Sequence, residues 1–203
     1  MTPGKIAKLL NIVPDSNQKW ILISMAVRSV LLAFIAPTVN QAMYQALPTK
    51  WFAFSSMVSC ISGLLIGFSW RGGFRDGVLK KFAIFSITES IAGFILGVYM
   101  ALFNQNLWIY AITALLYQNL VSILVGRCMT AFQSVLWNHR ERETYDNNNY
   151  MVMCLSMIIG YIVAIAYTPG LRLSLLLFGI SCLIDDAGWI TVFFKNKEKL
   201  KNI

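Results

Sequence analysis

Apolar residues gather along the chain in runs of about 20, the length that crosses about 30 Å of hydrocarbon at about 1.5 Å per residue. Six runs can be marked: Trp20 to Ala36 with an extension to Ala46, Trp51 to Trp70, Phe82 to Phe103, Trp108 to Trp137, Tyr150 to Tyr167, and Leu173 to Phe194. The pattern predicts an all-α integral membrane protein of six transmembrane helices over 20–194, with a polar segment at 1–19 before it and a basic tail at 195–203 after it. The connections are short, so consecutive spans are expected to be antiparallel neighbours in a compact bundle. Pro37 frees a backbone carbonyl and is expected to kink the first helix. The polar stretch "RERETYDNNNY" at 140–150 reads as a solvated loop ending in a helix start, with Asp146 or one of Asn147, Asn148 and Asn149 as the cap.

Composition agrees with a lipid setting: 57% of the 203 residues are hydrophobic, 13% are charged and the mean hydropathy is +0.62. Little chain remains for a soluble domain. Cys60, Cys128, Cys154 and Cys182 stand singly in different apolar runs and read as packing residues rather than metal ligands. The net charge of +8 does not point to nucleic acid, because the basic residues lie between the spans rather than on one surface. The first run leads into "PTVNQ" without a small-residue cleavage site, which argues against a cleaved signal peptide.

The basic residues do set orientation. Lys5, Lys8 and Lys19 precede the first run; Arg71, Arg75, Lys80 and Lys81 lie between the second and third; Arg140 and Arg142 follow the fourth; Lys195, Lys197, Lys199 and Lys201 form the tail. The other three connections carry only Lys50 and Arg172. Short basic loops stay in the cytosol, so both termini are expected inside and the number of spans is even. Trp20, Trp51, Trp70, Trp108 and Trp137 fall at run ends and read as headgroup anchors. His139 reads as a surface residue of the fourth-to-fifth loop.

The most informative residues are ionisable ones inside the runs, because each costs several kcal/mol when it faces lipid. Arg28 in the first run, Glu89 in the third, and Asp185 and Asp186 in the sixth all lie about 10 to 15 Å in from the cytosolic end. They can therefore meet. One arginine facing up to three carboxyl groups leaves excess negative charge in a low dielectric, the setting of a proton-coupled carrier or of a site for a cationic substrate. A structural ion pair that fixes helix register is the alternative. Asp185 and Asp186 are adjacent and point about 100° apart on a helix, so both cannot face one cavity squarely. Tyr117, Gln118 and Asn119 in the fourth run, with Asn40 and Gln41 in the outer part of the first, add polar groups that either line a central cavity or make contacts between helices.

Two segments carry a family likeness. Gly72, Asp76, Lys80 and Lys81 give G-x-x-x-D-x-x-x-K-K, and "VGRCMTAF" at 125–132 places Arg127 near the cytosolic end of the fourth run. The chain here resembles the amino-terminal half of a major facilitator superfamily transporter, whose second-to-third loop reads G-x-L-a-D-R-x-G-R-K and whose fourth span carries "iGRfltG". Gly77 and Leu79 stand where that loop has a further basic residue and a second glycine. The resemblance implies a bundle of two inverted three-helix repeats. It also implies a cytosolic gate in which Asp76 and Arg127 take part. Gly160 and Ala164 fall where the antiporter subgroup has G-x-x-x-G-P, but no proline follows, and the step reads as an ordinary helix contact.

The family has twelve spans, so a second half must come from another copy or another chain. The expected activity is carriage of a small solute, coupled to protons through the intramembrane acids, in the cytoplasmic membrane of a bacterium. The expected partners are the bilayer, a small-molecule substrate, protons, and a second copy or a separate half-transporter chain. The alternatives are a six-span substrate-binding subunit of an energy-coupling-factor transporter and a non-transporting assembly or immunity factor. No enzyme is expected, since HExxH, G-x-S-x-G and a paired-aspartate metal motif are missing from the sequence, and no cofactor or metal is called for.

Overall fold

The computed structural model describes residues 16–69, 78–103, 106–117, 129 and 132–196, and all the structure among them is helix and connection, with no strand. The helices are α1 (Ser16–Ala46), α2 (Thr49–Ser69), α3 (Val78–Leu102), α4 (Leu107–Tyr117), α5 (His139–Ala166), α6 (Leu171–Asp185) and α7 (Ala187–Lys195). Residues 132–136 are helical as well. Among the described residues, four candidate spans are long and apolar enough to cross a membrane: Asn17–Ala46, Phe82–Leu102, His139–Ala166 and Leu171–Lys195, the last made of α6 and α7 together. This is the build of a membrane-embedded protein. The second expected run lies on α2, and the fourth is described only at 108–117, 129 and 132–137.

The bundle is built around α1, which packs along α5, α6 and α7, while α3 packs along α6. Glycines mark the crossings. A Cβ on Gly97 of α3 would stand 2.5 Å from the Gly179 Cα of α6, one on Gly160 of α5 would stand 2.5 Å from the Val30 carbonyl of α1, and one on Gly188 of α7 would meet Ser24 Oγ and lie 2.7 Å from the Ile21 Cα of α1. Helices in lipid gain little from hydrophobicity against one another, so close backbone approach over small residues is what holds them. Ser156, Gly160 and Ala164 are all buried and form the α5 side of the contact with α1.

Two clusters lie at opposite ends of the bundle. At one end Ile21, Phe82, Phe132, Trp137, Tyr145, Trp189 and Val192 are buried together. Gln18 Nε2 donates there to the Glu141 carbonyl (3.2 Å), and Asn196 Nδ2 donates to Asn17 Oδ1 (3.4 Å). At the other end Ile35, Val39, Met100, Ala101, Tyr110 and Leu175 are buried, and Thr38 Oγ1 donates to the Pro169 carbonyl (2.9 Å). So α1, α3 and α5 all start at the first end, and α7 finishes there. The distance from Trp20 to Thr38 along α1 is about 27 Å, one hydrocarbon thickness.

Two sequence expectations change. The 140–150 stretch is helix, because Asn138 accepts from the Glu141 N–H while Glu141 Oε2 accepts from the Asn138 N–H (2.9 Å each). This reciprocal pair starts α5 at His139 and carries it through the charged residues. Trp137 is buried between Tyr145 and Trp189 (ring centroids 4.8 and 5.9 Å) rather than lying free at the headgroup level. Helix α1 carries Pro37 within it and extends to Ala46.

Helix α2 stands apart. No side chain from Thr49 to Leu64 is buried. Its recorded ring contacts to neighbouring helices are at its start, Phe52 on Tyr44 of α1 (4.9 Å) and Trp51 edge-on to Trp108 of α4 (5.3 Å).

Candidate functional site

The four ionisable residues singled out from the runs come together about midway along the bundle. Arg28 is about 12 Å along α1 from Trp20 and about 15 Å from Thr38. Its Nη2 lies 3.0 Å from Asp185 Oδ2, with the two side chains 34% and 25% exposed. Asp186 points elsewhere, as the rotation between neighbouring helical positions requires: its Oδ2 accepts from Ser90 Oγ of α3 at 3.1 Å. Glu89, next to Ser90, is buried as well. The two aspartates thus serve two different walls of one cluster, Asp185 the α1 wall and Asp186 the α3 wall.

A break in the sixth span sets this division. Helix α6 ends at Asp185 and α7 begins at Ala187, while Asp186 at φ −88°, ψ −8° sends its backbone N–H to the Ile184 carbonyl. The α-helical ladder is interrupted at the depth of the charges. The register across the gap follows from the glycine crossing: Ser90 is two turns from Gly97 on α3, and Asp186 is two turns from Gly179 on α6. The antiparallel helices therefore bring hydroxyl and carboxyl to the same level.

Below the charges, towards the first end, aromatic side chains close the bundle. Phe82 stacks on Phe132 (5.0 Å), Tyr145 meets Trp189 edge-on (5.8 Å), and Phe132 also meets Trp189 (6.1 Å). Trp189 lies one turn from Asp186, so the rings form a dry floor directly under the acids. An ion pair that stays partly open at this depth has to face water or protein rather than acyl chains, since a charge in hydrocarbon costs several kcal/mol. Its surroundings are acidic overall, suited to a proton, a cation or a cationic solute.

The remaining predicted residues fall elsewhere. Asn40 and Gln41 are exposed on α1 beyond Thr38, about 18 Å along the helix from Arg28, at the level of the 167–170 connection and away from the charged cluster. Lys80 and Lys81 lie in the first turn of α3, and Tyr117 ends α4. Gly72, Asp76, Gln118, Asn119 and Arg127 lie outside the described residues. His139 is exposed and 3.4 Å from Glu143. Among the described residues no three His, Cys, Asp or Glu side chains converge as a metal site.

Ser86 and Ser90 were missed by the sequence reading. Their signal was the row Ser86, Ser90, Gly93, Gly97 on α3, small residues spaced three or four apart on one helix face. The chain matches no family model, no curated protein and no solved structure.

Proposed function

We propose that the chain is a small-solute carrier built as one half of a major facilitator type transporter, with its first end in the cytosol of a bacterial cell and a second six-span unit completing the path. One observation carries this reading: an Arg28–Asp185 ion pair that remains partly open midway through the bundle, backed by the buried acids Glu89 and Asp186. A purely structural ion pair would be expected to be closed off.

The test is transport in proteoliposomes containing a pH-sensitive dye and challenged with sugars, amino acids, organic acids and amines in turn. Wild-type protein is expected to move protons with one of these classes. Glu89→Gln and Asp185→Asn are expected to abolish that movement while the variants still elute as folded protein. Proton movement unchanged in both variants removes the coupling role.

A further inference from the structure

Asp186, Ser90 and Ser86 carry buried oxygen atoms along the groove-like seam between α3 and the α6–α7 break. We infer that this groove is a binding site for a small monovalent cation of the sodium class, with Asp186, Ser90 and Ser86 as its ligands. Asp186 is 3% exposed and Ser90 5%, and the Ser90 hydroxyl already touches the Asp186 carboxyl at 3.1 Å. The second, independent observation is Ser86. It is 0% exposed, and its Oγ makes no hydrogen bond among the described residues.

Its direction follows from helical spacing. Phe82, Ser86 and Ser90 stand four residues apart and share one face of α3. Phe82 meets Trp189 (6.4 Å between rings) and Ser90 meets Asp186. Ser86, between them, therefore faces the 186–189 segment at the underside of the Asp186 carboxyl.

The ligand set selects the ion. Hydroxyl and carboxyl oxygens suit hard cations, whereas transition metals favour nitrogen or sulfur ligands. Magnesium retains several waters and calcium takes about six to eight oxygens, neither of which fits a groove floored by Trp189 and closed above by the Gly97–Gly179 crossing. One arginine faces three acids in the cluster, so a single added positive charge improves the balance. Interrupted helices supply ion sites of this kind in secondary carriers. The site deepens the carrier reading by naming a second coupling ion beside protons, and it rests on that reading only for the transport step, because binding can be measured without transport.

The experiment uses the purified full chain in detergent at constant ionic strength, comparing sodium, potassium and choline chlorides by thermal unfolding and by equilibrium binding of radioactive sodium. Sodium is expected to raise Tm with dose, as a ligand of the folded state must, with one ion bound per chain and no shift from choline. Ser90→Ala and Ser86→Ala are each expected to weaken sodium binding roughly tenfold, and Asp186→Asn to abolish it, whereas Asn40→Ala leaves it unchanged. No sodium-specific shift, or an equal shift in the serine and aspartate variants, overturns the site. If Asp186→Asn does not fold, the two serine variants decide. Solute transport that persists without sodium binding sinks the ion site and leaves the carrier reading standing; sodium binding without transport of any solute does the reverse.

Discussion

Replacing Gly97 by alanine puts one methyl group where the structure leaves no room for it. The added Cβ would stand 2.5 Å from the Gly179 Cα, 2.6 Å from the Gly179 nitrogen and 2.7 Å from the Leu175 carbonyl oxygen. Non-bonded carbons rest about 3.5 to 4.0 Å apart, and all three neighbours are backbone, so no side chain can swing aside. The helices must separate by about 1 Å, and a gap of that size forfeits roughly a quarter to a half of the dispersion energy of each contact along the seam. Overpacking of this kind costs about 1 to 3 kcal/mol. The separation also reaches the site: two turns away, the 3.1 Å contact between Ser90 and Asp186 lengthens beyond hydrogen-bonding range.

Gly179→Ala meets backbone at 3.0 and 3.2 Å and is expected to cost less. Gly63→Ala on α2 has nothing within 4 Å and is expected to be neutral or to stabilise by about 0.5 to 1 kcal/mol through helix propensity. Reversible unfolding in mixed micelles should rank the variants Gly97 worst, Gly179 next and Gly63 harmless. A Gly97→Ala protein as stable as Gly63→Ala would refute the close crossing of α3 and α6.

Two further outcomes follow from the ends of the bundle. Asn138→Ala removes the side-chain half of the reciprocal cap, the Oδ1 that accepts from the Glu141 N–H, and is expected to cost about 0.5 to 2 kcal/mol, seen as faster amide exchange over the first turn of α5; unchanged exchange would place the helix start elsewhere. In a cysteine-free background, Asn40→Cys and His139→Cys, both exposed but near opposite ends, should react with an impermeant thiol reagent from opposite sides of the membrane, and labelling from one side only would break the proposed threading.

The positions of the helices and the depth of Arg28, Glu89, Asp185 and Asp186 could be read from the sequence because both are one-dimensional quantities. Run length sets the span, and distance from the run end sets the level. What each charge faces is a matter of rotation and of neighbours, and there the reading stopped at the 100° between the two aspartates. The division of Asp185 to Arg28 and Asp186 to Ser90 needed the partner helices. On polarity alone the charged stretch after Trp137 reads as loop, although Asn138 and Glu141 carry the spacing of a reciprocal cap. A tryptophan at a run end such as Trp137 looks the same in sequence whether its ring faces headgroups or, as here, Tyr145 and Trp189. Asn40 and Gln41 are open to a cavity or to contacts between helices in the sequence, because their level beyond the Thr38–Pro169 contact cannot be read along one helix.

The order of partners along α1 and α3 bears on biogenesis. Among the described residues, the first helix finds its main neighbours in α5, α6 and α7, and the third finds its own in α6, all of them made after residue 138. Among the described residues, the first four helices share only small contacts, such as Tyr44 with Phe52, Trp51 with Trp108, and Tyr110 with its cluster at the second end. The early spans must wait, singly solvated by lipid or held by the insertion machinery, until the last third of the chain emerges and the bundle assembles at once around it.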